Sequence, residues 1–250
     1  MTTIYGFLAW VNDNLVLWFG SIPPEQKVVL SLAGTGIALT GYCWTIYKTY
    51  RGRSAPNPMS WFGFGGLTGV GALVQHEMGA GIGALTMDVT ALACIVQGGA
   101  SVLWKEGGWH WSDFKVEDWC ALTAGTACFA VFMLSNCLSL TPLVSAAFAT
   151  IAEFFLYAPA IRSSWTFPRG ENAFGYSMQS AKNLPAIASL PSFSPASWIY
   201  PMMLLWMNAA MIVYFLSRRL FVSREQEERS KAEAVRLRAD RARSQSAAFV

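Results

Sequence analysis

Apolar residues along this chain run in long blocks, without the strict alternation of strands or the narrow stripe of a soluble helix. A membrane-spanning helix needs about 20 mostly apolar residues, because each residue rises about 1.5 Å through a hydrocarbon core about 30 Å thick. Seven blocks reach or approach that length: residues 28–47, 59–75, 80–104, 119–135, 143–161, 174–190 and 198–216. The sixth is the weakest, since Lys182, Asn183 and Pro185 fall inside it. Residues 4–20 carry Asn12, Asp13 and Asn14 at their centre, and they predict a short amphipathic helix lying on the outer membrane surface.

Charge supports the count of seven. Cytoplasmic loops carry excess Lys and Arg. Lys48, Arg51 and Arg53 follow the first block, Arg162 and Arg169 the fifth, and Arg218 and Arg219 the seventh. No Lys or Arg follows the second, fourth or sixth block before the next begins. Seven spans place every basic loop on one side, with the amino terminus outside and the carboxyl terminus in the cytoplasm. Omitting the sixth would divide the basic loops between two sides. Its Lys and Pro are then expected to face protein or a water-filled cavity.

Composition sharpens the same picture. Hydrophobic residues make up 54% of the chain and charged residues 13%, against about a quarter charged in soluble domains. Nine of the 18 Lys and Arg residues lie between Arg218 and Arg243, in a charged tail. Glu225 with Arg229, Glu227 with Lys231, and Arg236 with Asp240 stand four apart and can pair along a solvated helix. Nucleic acid is not an expected partner, because the basic excess is confined to this tail. Residues 1–20 contain no Lys or Arg, so a cleavable signal peptide is not expected. Tryptophans near block ends, among them Trp61, Trp104, Trp119, Trp165 and Trp198, predict an interfacial belt.

Cys43, Cys94, Cys120, Cys128 and Cys137 are scattered through apolar sequence without ligand spacing, and are expected to be buried free thiols. His76 and His110 are too few and too far apart for a metal site or a nucleophile–histidine–acid set. No metal, no cofactor and no enzymatic activity are therefore expected.

An internal repeat organises the blocks. GYCWTIYKTYRGRSAPNPMSWFGFG and LYAPAIRSSWTFPRGENAFGYSMQS begin 115 residues apart, at Gly41 and Leu156. Each leaves an apolar helix through a Tyr-containing end, crosses a basic turn bearing proline, and enters a second helix. Spans one to three then correspond to spans five to seven, and span four is a linker that returns the chain to its starting side. The predicted fold is an all-α membrane protein with about seven transmembrane helices, arranged as two parallel three-helix bundles joined by a linker helix (3+1+3). The corresponding segments are a surface segment (1–24), a first repeat (25–107), the linker (108–138), a second repeat (139–220) and the tail (221–250).

These two passages resemble the PQ-loop repeat family, which includes the SWEET and SemiSWEET sugar transporters and lysosomal amino-acid exporters. The likeness extends over about residues 28–218. The defining Pro-Gln pair reads Pro159-Ala160 in the second half, and Gly41-Tyr42 stands near the matching place in the first. The resemblance implies a central site between the two triplets, lined by an Asn on the third helix of each half and by aromatic residues. Asn208 and Trp206 fit that pattern in the second half, and Asp88 or Gln97 are candidates in the first. It also implies a hinge, to which Pro159 would contribute.

Ionisable groups within spans are costly and are functional candidates for that reason. Asp88 and Glu153 could couple proton movement to solute movement, or could be structural partners of neighbouring groups such as Lys182. The expected function is a transporter for a small polar solute, sugar or amino acid, working by alternating access. The alternative is a non-transporting membrane subunit or scaffold of a larger complex. A multi-pass location in a plasma or inner membrane, and contact with a second copy or a membrane partner subunit, complete the expectation.

Overall fold

The computed structural model describes residues 2–54, 56–77, 79–103, 114–137, 142–229, 232 and 236. Nine α-helices occur among them: α1 (Thr2–Phe19), α2 (Pro24–Tyr50), α3 (Pro58–Glu77), α4 (Leu85–Leu103), α5 (Val116–Cys137), α6 (Pro142–Thr166), α7 (Ala173–Ala181), α8 (Asn183–Ala188) and α9 (Pro195–Phe221). A 3-10 turn, Gly81–Ala84, leads into α4. The described residues contain no strand.

Helix starts follow local chemistry. Pro24 and Pro195 occupy first-turn positions, where proline's missing N–H is no loss. Asn57 Oδ1 accepts the Met59 N–H at 3.0 Å and caps α3. Ser194 and Ser197 form a reciprocal capping box at the head of α9, and Arg218 and Arg219 sit at its negative tail end. The sixth block is broken between α7 and α8 at Lys182. Pro185 has no N–H to offer the carbonyl of Ala181, four residues earlier, so the helix cannot continue unbroken there.

Among the described residues, three helical stretches are long and apolar enough to cross a membrane: Pro24–Tyr50, Gly81–Leu103 and Pro195–Phe221. The outward surface agrees with them. Val29, Leu92, Leu103, Trp206 and Val213 are each more than half exposed, and apolar patches on this scale mark membrane or partner contact rather than water.

Packing follows a repeated order. α2 and α3 both pack on α4; α6 and α7 both pack on α9. Across the middle, α2 packs on α7 and α3 on α6, while α5 lies mainly along α6. The core where these helices meet is aromatic. Tyr42 meets Trp61 edge-on at 5.9 Å, Phe64 meets Tyr157 at 4.8 Å, and Tyr176 meets Phe215 at 5.0 Å. Small residues permit the approach. A Cβ on Gly41 would stand 2.5 Å from the Met178 Cβ, so α2 and α7 touch through a missing side chain. Gly41→Ala is expected to lose about 1–3 kcal/mol by overpacking, read as a lower thermal unfolding midpoint in detergent.

Several sequence expectations are corrected. Trp61 and Trp198 are only 4% exposed and belong to the interior rather than to an interfacial belt; Trp119 and Trp165 are exposed, and Trp104 lies outside the described residues. Tertiary contacts draw the two indoles inward: Trp61 packs on Tyr42 and Phe64, and Trp198 donates to Asn12 Oδ1 at 3.2 Å. Cys94 is buried, but the free thiols of Cys43 and Cys120 face outward, where an apolar surface suits them. His76 and Glu77 fall in the last turn of α3. In the tail, Arg229 pairs with Glu225 at 2.5 Å as the spacing predicts. Glu227 turns inward to Arg169 at 3.0 Å, because that guanidinium is fixed beside it by the carbonyls of Val222 and Arg219. Lys231 and Asp240 lie outside the described residues.

Candidate functional site

At the centre of the helix assembly is a cavity of about 30 Å³, enough for a small number of water molecules. α2, α3, α4, α6, α7 and α9 all contribute to its wall, and Lys182 enters from the α7–α8 break. The helix interruption has a chemical consequence: it brings an ammonium group and irregular backbone to the same depth as the buried aromatic core.

An acid and a base face this cavity. Glu153 and Lys182 are each 1% exposed. Glu153 Oε2 accepts the Tyr200 hydroxyl at 3.1 Å, and Tyr200 also contacts the Thr68 hydroxyl at 3.2 Å. Lys182 Nζ donates to Thr90 Oγ1 and stands 5.9 Å from the centre of the Tyr42 ring. No direct ion pair joins the two among the described residues; each acts on the other across the site. Gln179 adds an amide whose Nε2 and Oε1 are both buried without a partner among the described residues.

The remaining wall is built twice. Tyr42 and Tyr157 are 115 residues apart, as are Trp61 and Tyr176, and Phe64 and Gln179. Thr90 and Leu204, and Cys94 and Asn208, are 114 apart. Their contacts repeat as well: Tyr42 OH meets Cys94 Sγ at 2.9 Å, and Tyr157 OH donates to Asn208 Oδ1 at 3.2 Å. The charges break the symmetry. The position related to Glu153 is Ala38, and the one related to Lys182 is Leu67.

Of the residues singled out in the sequence, Asn208 and Glu153 line the cavity. Gln97 does not; it is bonded to Thr49 at 2.9 Å and Ser101 at 3.3 Å within the α2–α4 contact. Asp88 sits at an exposed helix end, paired with His76 at 3.0 Å. Trp206 is 67% exposed, on the outer face of α9. Pro159 lies inside α6, two residues beyond Tyr157. The residue that stands 114 positions before Asn208 in the same wall is Cys94, which sequence reading passed over as a packing thiol. The repeat offset carried part of the signal: 115 residues lead from Tyr157 to Tyr42, whereas Cys94 is reached from Asn208 only with the one-residue shift to 114 found in the last helix of each set.

No protein family, no curated protein and no solved structure matches this chain.

Proposed function

We propose that this protein is a multi-pass membrane transporter for a small polar solute, working by alternating access between two three-helix units. In this reading α2–α4 form the first unit, α6–α9 the second with α7 and α8 as one broken span, and α5 the linker. Basic ends face the cytoplasm, in a plasma or inner membrane. The observation that carries it is the polar cavity lying where the two units meet, with its wall repeated across them. A central site between repeats can be exposed to either side by rocking one unit against the other. The charge pair favours an amino acid over a sugar. A dipolar solute can answer both Glu153 and Lys182, whereas a neutral sugar leaves both without an ionic partner.

Uptake into proteoliposomes tests this, with labelled sugars and neutral and cationic amino acids, with and without an inward proton gradient. Saturable uptake of one solute class is expected. Asn208→Ala should reduce it about tenfold by freeing the Tyr157 hydroxyl, a loss of about 1–2 kcal/mol. Trp206→Ala and Asp88→Asn, both away from the cavity, should leave it within about twofold, the effect of surface changes. Absence of uptake by folded, inserted protein would favour the other reading, a non-transporting membrane subunit. That reading draws on the polar cluster of Gln97, Thr49 and Ser101, in which the Gln97 Nε2 is engaged by the two hydroxyls and the Ser101 hydroxyl by the Gln97 carbonyl, away from the cavity.

A further inference from the structure

The loops at the basic end of the two units are laced together above the cavity. Ser54, after α2, donates its hydroxyl to the carbonyl of Gly170, after α6, at 2.7 Å. Asn172 Nδ2 crosses back to Thr45 Oγ1 at 2.9 Å. Between these two ties lies Glu171, a carboxyl group only 2% exposed although it belongs to a loop. Its Oε1 accepts the Ser163 hydroxyl at 3.3 Å, and the backbone N–H of Asn57, from the opposite unit, faces the carboxyl. Its Oε2 is buried without a partner among the described residues, and so are Asn57 Nδ2 and the Tyr176 hydroxyl. Tyr176 acts electrostatically on Glu171 and also lines the central cavity, so the loop acid and the cavity are one side chain apart.

We propose that Glu171 is a proton-binding site, distinct from the central charge pair, whose occupancy decides whether the two loops stay laced over the basic end of the cavity. With the proton bound, the carboxyl is neutral and suits its dry position between the units. Loss of the proton leaves a buried carboxylate with too few donors, and parting the loops gives it water. Among the described residues no ion pair to the group occurs. From α9, Arg219 is engaged by the carbonyls of Pro168 and Glu171 itself; in the loop, Arg169 is held by Glu227 and Val222. From α7 the titratable neighbour is Tyr176; the donors are Ser163 from α6 and the N–H of Asn57, just before α3. Burial pushes the carboxyl up to about 8, against the pull of those two donors. The related position in the first unit is Pro56, so this acid occurs once. The inference rests on the cavity being a solute pathway, but its test requires no solute.

Cys94, buried in the cavity wall, is the reporter. In a chain carrying Cys43→Ala, Cys120→Ala, Cys128→Ala and Cys137→Ala, the rate of Cys94 modification by methyl methanethiosulfonate is followed from pH 6 to 9. The same series is run with Glu171→Gln added, the neutral isostere that keeps the laced form. The ratio of the two rates at each pH cancels the thiol's own ionisation. That ratio is expected to rise about tenfold between pH 7 and 9, following the ionised fraction of a group that titrates at about 8. Ser163→Ala, which removes the side-chain donor to the carboxylate, should move the midpoint to higher pH. A ratio that stays flat across the range, whether both thiols react or neither does, overturns the proposal, as does a midpoint that Ser163→Ala leaves in place. Solute uptake by the same preparations reports separately on the transport reading.

Discussion

Lys182→Met is expected to destabilise the protein by more than about 1 kcal/mol, because it removes one of two buried groups of opposite type that act on each other across the cavity. Lys182 and Glu153 are both fully enclosed at the same cavity, and each has one neutral hydroxyl as its near partner. Glu153→Gln removes the other member and is expected to be destabilising for the same reason. The double variant Lys182→Met with Glu153→Gln should recover most of the loss, since no unanswered charge remains. The two positions are therefore expected to be strongly non-additive, by more than about 1 kcal/mol in a double-mutant cycle. Thermal unfolding of the four proteins in one detergent, followed by tryptophan fluorescence, measures this. Additive losses would show that the two charges are independent and would remove the electrostatic basis for a dipolar solute. Uptake should be lost in all three variants, including the stable double one. Recovered folding without recovered transport separates a binding role from a structural one.

The second large effect is a loss of stability with rising pH that Glu171 controls. Its carboxyl ordinarily titrates near 4.5 and is pushed up to about 8 in the folded protein by burial. The folded state therefore holds this proton more tightly than the unfolded state. The stabilisation is present in full below pH 4.5, falls as pH rises towards 8, and is gone above it. The separation of the two values corresponds to about 4–5 kcal/mol, or a fall of about 10 °C in unfolding midpoint between pH 5 and 9 for a chain of this size. Glu171→Gln cannot ionise and should flatten most of that slope. If parent and variant lose stability in parallel, the slope belongs to other groups and Glu171 is not the buried acid described above.

Much of the architecture was legible in the chain. The blocks at 28–47, 59–75, 143–161 and 198–216 fall within α2, α3, α6 and α9, because long apolar runs admit no alternative to helix. The weakness of the sixth block was real: Pro185 divides it into α7 and α8. The candidate site was only half legible. Asn208 and Glu153, conspicuous as polar groups inside apolar blocks, do line the cavity. Trp206 was misplaced because helical periodicity alone does not tell which face of α9 meets protein. Asp88 looked internal by its position in a block, yet it sits in the first turn of α4, where His76 reaches it.

The sequence by itself determined the all-helical character, the apolar blocks, the 115-residue offset and the single-copy charges of the second half, since each is a property of spacing along one dimension. Tertiary structure decided what those features meet. It placed Lys182 and Glu153, 29 residues apart, at one cavity. It matched Cys94 with Tyr42 as Asn208 is matched with Tyr157, and it buried the loop residue Glu171 between two units. Those outcomes depend on helix rotation and on the crossing of distant segments, and both are set by packing between side chains far apart in the chain, which no local pattern encodes.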